Sequence, residues 1–367
     1  MKRTAILALL ALLLTACAQH TAEPFPSAAQ PTGSMELAYA EQFTVDYYGD
    51  AALVTIAGEE RYLLVPEGEG TPEVADAAVV HTPLDHIYLA SSSAMDPFQK
   101  LGALGAVRFT GTAAADWSIP EVADAMDAGD ILYVGKYRAP DYELLLAEGC
   151  AFAVENTMIL HSPATREQLE ALGIPTMVER SSYESHPLGR LEWIKLYGLL
   201  VGKAAEAEEY FDAQTAALAD ILSAENTGKT ATVFYVSPNG YVNVRRPGDY
   251  VSRMIALAGG LYVPTELEGE DNNLSTINMQ FEAFYAGARD ADVLIYNSTI
   301  YPMDSLAQLL AENDMFADFK AVQTGNVWVT EQNLFQETSA VGGMIADFHA
   351  VLNGTGEEQL TYLRRLR

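Results

Sequence analysis

Residues 181–222, SSYESHPLGRLEWIKLYGLLVGKAAEAEEYFDAQTAALADIL, constrain the fold of this chain more than any other stretch. Pro187 stands near their start, where a proline suits the first helical turn, and Ser185 is the expected N-cap. No further proline follows, so a single helix of about 34 residues is expected, spanning roughly 50 Å at about 1.5 Å per residue. A rod of that length can back two domains. The plainer alternative is a long helix inside one domain.

The flanks favour two domains. From about residue 79, apolar runs that read as strands alternate with helical patterns. VVHTPLDHIYLA, AVRFTGT, ILYVG, CAFAVENTM and IPTMVER are the strands; SSSAMDPFQKLGAL, IPEVADAMDAG, APDYELLLAEG and TREQLEALG supply the helices. After residue 223 the same grammar restarts. Strands TATVFYVS, ADVLIYN and GNVWVT are interleaved with DYVSRMIALAGG, INMQFEAFYAGAR, SLAQLLAENDMFADF and TSAVGGMIADFHAVL. Such alternation predicts an α/β fold with mostly parallel central sheets. The division read from the sequence is an N-terminal lobe over 39–184, a linker helix over 185–223 and a C-terminal lobe over 224–367. Near the start of the first lobe, FTVDYYGDAALVTIAGEERYLLVPEG reads as a hairpin of two β-rich runs around AGEE.

The first residues change the cellular context. Lys2 and Arg3 precede an apolar run from Ala5 to Leu14, too short for a stable membrane span. Leu14-Thr15-Ala16-Cys17 then resembles the lipobox of bacterial lipoproteins. That resemblance implies a signal peptide over 1–16, cleavage before Cys17, lipidation of its thiol and anchoring on the outer face of the cytoplasmic membrane. Residues 17–38 are rich in Ala, Pro, Ser, Thr and Gly and read as a flexible tether. Cys150 is then the remaining cysteine, so no disulfide forms within the mature chain, and it reads as a small buried hydrophobe. The chain has 21 basic and 50 acidic residues; removing Lys2 and Arg3 leaves 19 basic against the same 50, a net charge of −31. So acidic a protein is not expected to bind nucleic acid or anionic lipid surfaces.

A lipobox followed by an α/β lobe, one backbone helix and a second α/β lobe resembles the substrate-binding lipoproteins of ABC importers. Within them it is most similar to the helical-linker class that takes ferric siderophores, haem and cobalamin. The resemblance covers roughly residues 79–350 and is carried by RAPDYELLLAEGCAFAV, SSYESHPLGRLEWIKLYGLL, DYVSRMIALAGG and FEAFYAGARDADVLIYN, in that order. It implies a monomer that captures a small metal chelate between its lobes and hands it to permease subunits, with no cofactor and no catalysis. Glu143 and Glu282 each lie in a helix that runs into a strand, one per lobe. In the family an acidic residue at this place meets a permease arginine, so the pair would set docking register; the alternative is that both are solvated helix-face acids. The ligand would sit at the carboxyl ends of the strands. The candidate contacts there are Ser91, Ser92, Tyr137, Arg138, Tyr183, Asn239, Tyr241, Arg245, Arg246 and Asn297. Arginines suit carboxylates or the anionic oxygens of an iron chelate.

A ferric-siderophore-type chelate is the first expectation, with haem or a corrinoid equally open in sequence terms. Met95, Met158 and Tyr183 lie near strand ends where a haem ligand would stand. A bare metal ion is disfavoured: the six histidines are scattered at 20, 81, 86, 161, 186 and 349, with no HxH or HExxH. No GxSxG, Walker loop or Cys–His pair points to an enzyme. A ligand-free adhesin-type lipoprotein is the remaining class.

Overall fold

The computed structural model describes residues 30–69, 76–265, 267 and 276–367. The signal peptide, Cys17 and the tether as far as residue 29 lie outside the described residues.

The described residues form three sheets. The first holds β1 (Gly33–Ser34), β2 (Phe43–Tyr48), β3 (Ala51–Ile56), β4 (Glu60–Pro66) and β5 (Ala78–Thr82) in sequential order. The single hairpin expected here is in fact two, because the chain also turns at Gly49-Asp50 before the turn at Ala57-Gly58. Phe43, Val45, Ala52, Val54, Ile56, Tyr62 and Leu64 join the main core, while Leu53, Leu63 and Val65 form a small cluster on the opposite face. Both faces of the middle strands are thus buried, which is why ALV and YLLV run apolar without alternation. VVHT belongs to this sheet, not to the N-lobe sheet.

The N-lobe sheet holds β6 (Ile87–Leu89), β7 (Val107–Thr110), β8 (Leu132–Tyr133), β9 (Phe152–Glu155) and β10 (Thr176–Val178), all parallel, in the order β10-β9-β6-β7-β8. Its crossovers carry α1 (Met95–Lys100), α2 (Pro120–Ala128), α3 (Tyr142–Ala147) and α4 (Pro163–Ala171). Pro120 and Pro163 open α2 and α4, and Gly129 closes α2 in the left-handed conformation at φ 79°.

The connector is not one rod. Helix α5 (Pro187–Leu200) stops at Gly202 (φ 70°), α6 (Ala204–Ala217) runs back along it, and α7 (Ala219–Ser223) follows. The reversal is visible in the side chains. Lys195 lies 3.1 Å from Glu208 and over the Phe211 ring at 4.5 Å, and Tyr39 touches both His186 and Phe211. Gly198 makes the hairpin possible, since a Cβ there would lie 2.5 Å from the Cβ of Ala207. The physical reason for folding back is burial. Of α5, only Leu199 is not buried, so a straight extension would leave an apolar helix uncovered. His186, not Ser185, caps α5: its ring nitrogen accepts from Leu188 N–H, and Ser185 Oγ bonds Glu41.

The tether also ends earlier than residue 38. Thr32 N–H already donates to Tyr47 O, and residues 38–42 are bound along α5. Ala38, Tyr39 and Ala40 donate their N–H groups to the Glu192 carboxylate at 2.8–2.9 Å, and Glu41 and Gln42 donate theirs to Glu184 at 2.7 and 3.1 Å. Both carboxylates are fully buried. Each hydrogen bond to a buried charge contributes about 1.5–3 kcal/mol against leaving it unmade.

The C-lobe sheet holds β11 (Thr230–Val236), β12 (Val242–Arg245), β13 (Leu261–Tyr262), β14 (Thr276–Met279), β15 (Val293–Tyr296), β16 (Val327–Thr330) and β17 (Leu363–Arg365). The order is β14-β12-β11-β15-β16-β17, with β13 on the free end of β11; β12, β14 and β17 are antiparallel to their neighbours. Helices α8 (Tyr250–Leu257), α9 (Phe281–Ala288), α10 (Leu306–Glu312), α11 (Lys320–Gln323) and α12 (Val341–Asn353) cover it. One apolar core runs from Phe98 of the N-lobe through Leu191, Ile194 and Tyr197 of α5 to Val251, Ile345 and Phe348 of the C-lobe. The two lobes therefore share a core.

The Gly198 contact is open to a direct test. Gly198→Ala should destabilise the fold by about 1–3 kcal/mol, read as a lower denaturant midpoint at unchanged slope; an unchanged midpoint would mean that the hairpin is not closely packed there.

Candidate ligand cleft

Strand order reverses between β6 and β9 in the N-lobe, and between β11 and β15 in the C-lobe chain returns on the far side of β11. Ligands of open α/β sheets bind outside the carboxyl ends of strands at such points. The loops leaving those ends meet across the lobes. Thr338 Oγ1 donates to Ser93 O at 2.7 Å, and Ser339 N–H donates to the buried Asp96 carboxylate at 2.7 Å. Gln336 accepts from Ser118 N–H and Oγ and donates to Asp116 O. These contacts join loops after β6 and β7 to the loop after β16, and so define the closed side of a cleft between the lobes.

The N-lobe wall is built on Glu179, which follows β10. Its Oε2 accepts from Ser91 and Ser93, both at 3.2 Å, and its Oε1 accepts from Ser181 N–H at 2.7 Å. Ser92 starts a short 3-10 turn beside Ser91. Asn156 Nδ2 ties the loop after β9 to Ala90 O. On the C-lobe side Asn297 is buried and its Oδ1 accepts from Thr299 N–H and Oγ1. Tyr235 and Tyr301 pack together there at 5.6 Å. Tyr183 is exposed after β10. Ser91, Ser92, Tyr183 and Asn297 therefore stand at strand ends, as expected.

The remaining expected contacts follow or close β8, β11 and β12. Arg245 closes the antiparallel strand β12, where VNVR pairs with both β11 and β14, and Arg246 follows that strand. Arg245 pairs with Asp249 at 3.3 Å and lies 5.8 and 5.1 Å from the Tyr250 and Phe335 ring centroids. The main-chain oxygen of Arg246 accepts from Ser252 Oγ. Tyr241, at the β11–β12 turn with Asn239, lines a C-lobe cavity of about 810 Å³ with Val263, Ile277, Met279 and Ala283. Arg138 Nε donates to the Tyr137 hydroxyl at 2.8 Å, so these two engage each other in the turn after β8. Of the haem-ligand candidates, Met95 is fully buried in the core, while Met158 and Tyr183 are exposed. A second cavity, of about 640 Å³, lies beside β17 among Arg364, Arg365, Arg367 and Glu357, away from the cleft.

Glu143 and Glu282 occupy matching places. Each is exposed and is the second residue of its helix, α3 or α9, which leads into β9 or β15. Cys150 is only partly buried, and burial pushes its thiol up to about 12.

The linker helix supplies residues that the sequence reading passed over. Arg190 is buried between the lobes, with its guanidinium 4.3 Å from the Tyr250 ring centroid. A desolvated contact of this kind contributes about 2 kcal/mol. One signal was available: Arg190, Glu192 and Lys195 are charges in a helix otherwise apolar on every side, and such charges are paired or functional. Among the described residues no group of three or more His, Cys, Asp or Glu stands close enough to hold a metal ion, and no helix is long and apolar enough to cross a membrane.

Two α/β lobes joined by a buried helix, with their strand-end loops facing each other, define a two-lobed solute-binding protein. The profile of the periplasmic binding protein family matches residues 93–334, and the chain belongs to that family. Members of this family are solute-binding proteins that work with ABC permeases. An uncharacterized lipoprotein of Methanocaldococcus jannaschii is 26% identical over 90% of this chain and 86% of its own length. The fold is shared with the periplasmic haem-binding protein HutB of Vibrio cholerae (TM-score 0.58, 15% identity, 72% of this chain, 98% of that one). It is also shared with the vitamin B12 binding protein BtuF of Vibrio cholerae (0.52, 13%, 74% and 97%). A third such structure is an ABC-type Fe3+-hydroxamate transport protein of Saccharomonospora viridis (0.55, 19%, 72% and 92%). These three solved structures share the fold of this chain.

Glu155, at the carboxyl end of β9, gives the N-lobe a pH dependence. It is fully buried, and burial pushes its carboxyl up from the ordinary 4.5 to about 8. Between those values the folded protein keeps a proton that the unfolded chain has lost, so stability falls as pH rises through that window, by at most about 1.4 kcal/mol per unit. Thermal melts from pH 5 to 8 should show this decline, and Glu155→Gln should flatten it; an equal decline in both proteins would assign it elsewhere.

Proposed function

We propose that the protein is a lipid-anchored, extracytoplasmic receptor that captures a ferric-siderophore-type chelate between its lobes and delivers it to an ABC permease. The observation that carries this reading is the facing pair of strand-end loops, bridged from Ser93 and Asp96 to Thr338 and Ser339 and floored by α5. Buried arginines, with Arg190 stacked on the buried Tyr250, suit the oxygen-rich periphery of an iron chelate. Haem or a corrinoid is the second reading, favoured by Met158 and Tyr183, exposed in the turns that follow β9 and β10. Anchoring rests on Cys17 and agrees with the lipoprotein name of the archaeal relative; Cys17→Ser should shift the protein from the membrane pellet to the supernatant.

Capture is a small motion in this scheme. Because one core passes through α5 into both lobes, closure is a twist or short hinge, and release needs the transporter to part the lobes. Glu143 and Glu282 supply one exposed charge per lobe in equivalent helices, and each would meet an arginine on one permease subunit.

The test combines binding and uptake. Trp117 stands between the two residues that bond Gln336, so its fluorescence reports on the lobe contact. Titration with ferric catecholates, ferric hydroxamates, haemin, cobalamin, zinc and manganese should give saturable quenching with an iron chelate. Charge reversal at Glu143 and Glu282 together should abolish uptake and leave that titration unchanged. Lost affinity would move the two glutamates from docking to the ligand site.

A further inference from the structure

Two of the chain's scarce cations, Arg190 and Arg245, stand beside Tyr250 where α5 meets the C-lobe. Arg190 is 6% exposed, and its Nε and Nη1 have no hydrogen-bond partner. A guanidinium is charged at every physiological pH, and a buried charge without a partner is costly. The nearby acids are already engaged. Glu179 is taken up by Ser91, Ser93 and Ser181 N–H, and Asp249 by Arg245 and by Val251 N–H. Tyr197, further along α5, is fully buried and its hydroxyl has no hydrogen-bond partner. Tyr250 is flanked by two guanidiniums, Arg190 at 4.3 Å and Arg245 at 5.8 Å. Arg180, next to Glu179, also has its Nε buried without a partner. Around this spot the protein carries a large negative charge, whose field repels anions at long range. A neutral ligand would leave the Arg190 donors unpaired, whereas an anionic one would complete them.

We propose that the cleft is built for an anionic chelate and that Arg190, presented by the linker helix against Tyr250, is the residue that recognises its charge. This deepens the cleft reading above and rests on it. The ligand class it names is an iron complex with peripheral carboxylates or a net negative catecholate shell, in preference to a neutral hydroxamate or a corrinoid.

The experiment is calorimetric titration of the full chain with a trianionic ferric tris-catecholate, a neutral ferric trihydroxamate and haemin, for wild type, R190Q and R190K. Wild type should prefer the anionic complexes. R190Q should weaken them by about tenfold or more, with the neutral chelate changed by less than about twofold, and R190K should recover part of the loss because it restores the charge. The wild-type preference needs no variant and therefore stands even if R190Q fails to fold. A wild-type preference for the neutral chelate, equal weakening of both chelates in R190Q, or no change in either would overturn the role of Arg190 while leaving the cleft reading in place. Folded wild type that binds none of the three would overturn the cleft reading and this inference with it.

Discussion

Two buried carboxylates, Glu184 and Glu192, accept five consecutive main-chain N–H groups from residues 38–42. Around them the rest of the molecule is arranged. Burying two carboxylates is unfavourable unless they are fully hydrogen-bonded, and here the backbone of the incoming chain does that work, helped by Trp193 Nε1 on Glu184 and Lys195 on Glu192. Tyr39 O approaches Gly189 so closely that a Cβ there would lie 2.8 Å away. The first sheet is thereby locked to the helix that also joins the lobes.

That lock determines how the cleft behaves. With α5 covered by the N-terminal segment on one side, α6 on another, and α1, α8 and α12 beyond, the lobes cannot part without disturbing a shared core. Stiffness here comes from burial, not from the length of a rod. The same burial places Arg190 and Tyr197 at the junction of the lobes, where solvent is excluded and an unpaired donor has the strongest call on an incoming anion.

Much of this architecture was legible in the chain. Apolar runs of four to seven residues set between helical patterns mark parallel strands because both sheet faces are covered. Glu143 and Glu282 could be matched because ELLLAEGCAFAV and EAFYAGARDADVLIYN carry the same helix-into-strand pattern. Ser91, Ser92 and Asn297 follow apolar runs that end in polar loops, and those runs are the strands β6 and β15. That Arg245 ends a strand was not legible, because VNVRR after a turn reads equally as a loop or a strand. Only its pairing with β14, distant in sequence, decides between them.

Local pattern alone therefore settled the α/β class, the two lobes and the position of the connector, since periodicity and turn residues act over a few residues at a time. Tertiary structure decided the rest. GLLVGKAA permits a continuous helix or a reversal, and the reversal wins because α5 needs cover that only α6 and residues 36–42 provide. Whether Arg190 is a solvated charge or a buried one likewise depends on Tyr250, sixty residues away, closing over it. Burial is a property of the assembled chain, and no window of sequence contains it.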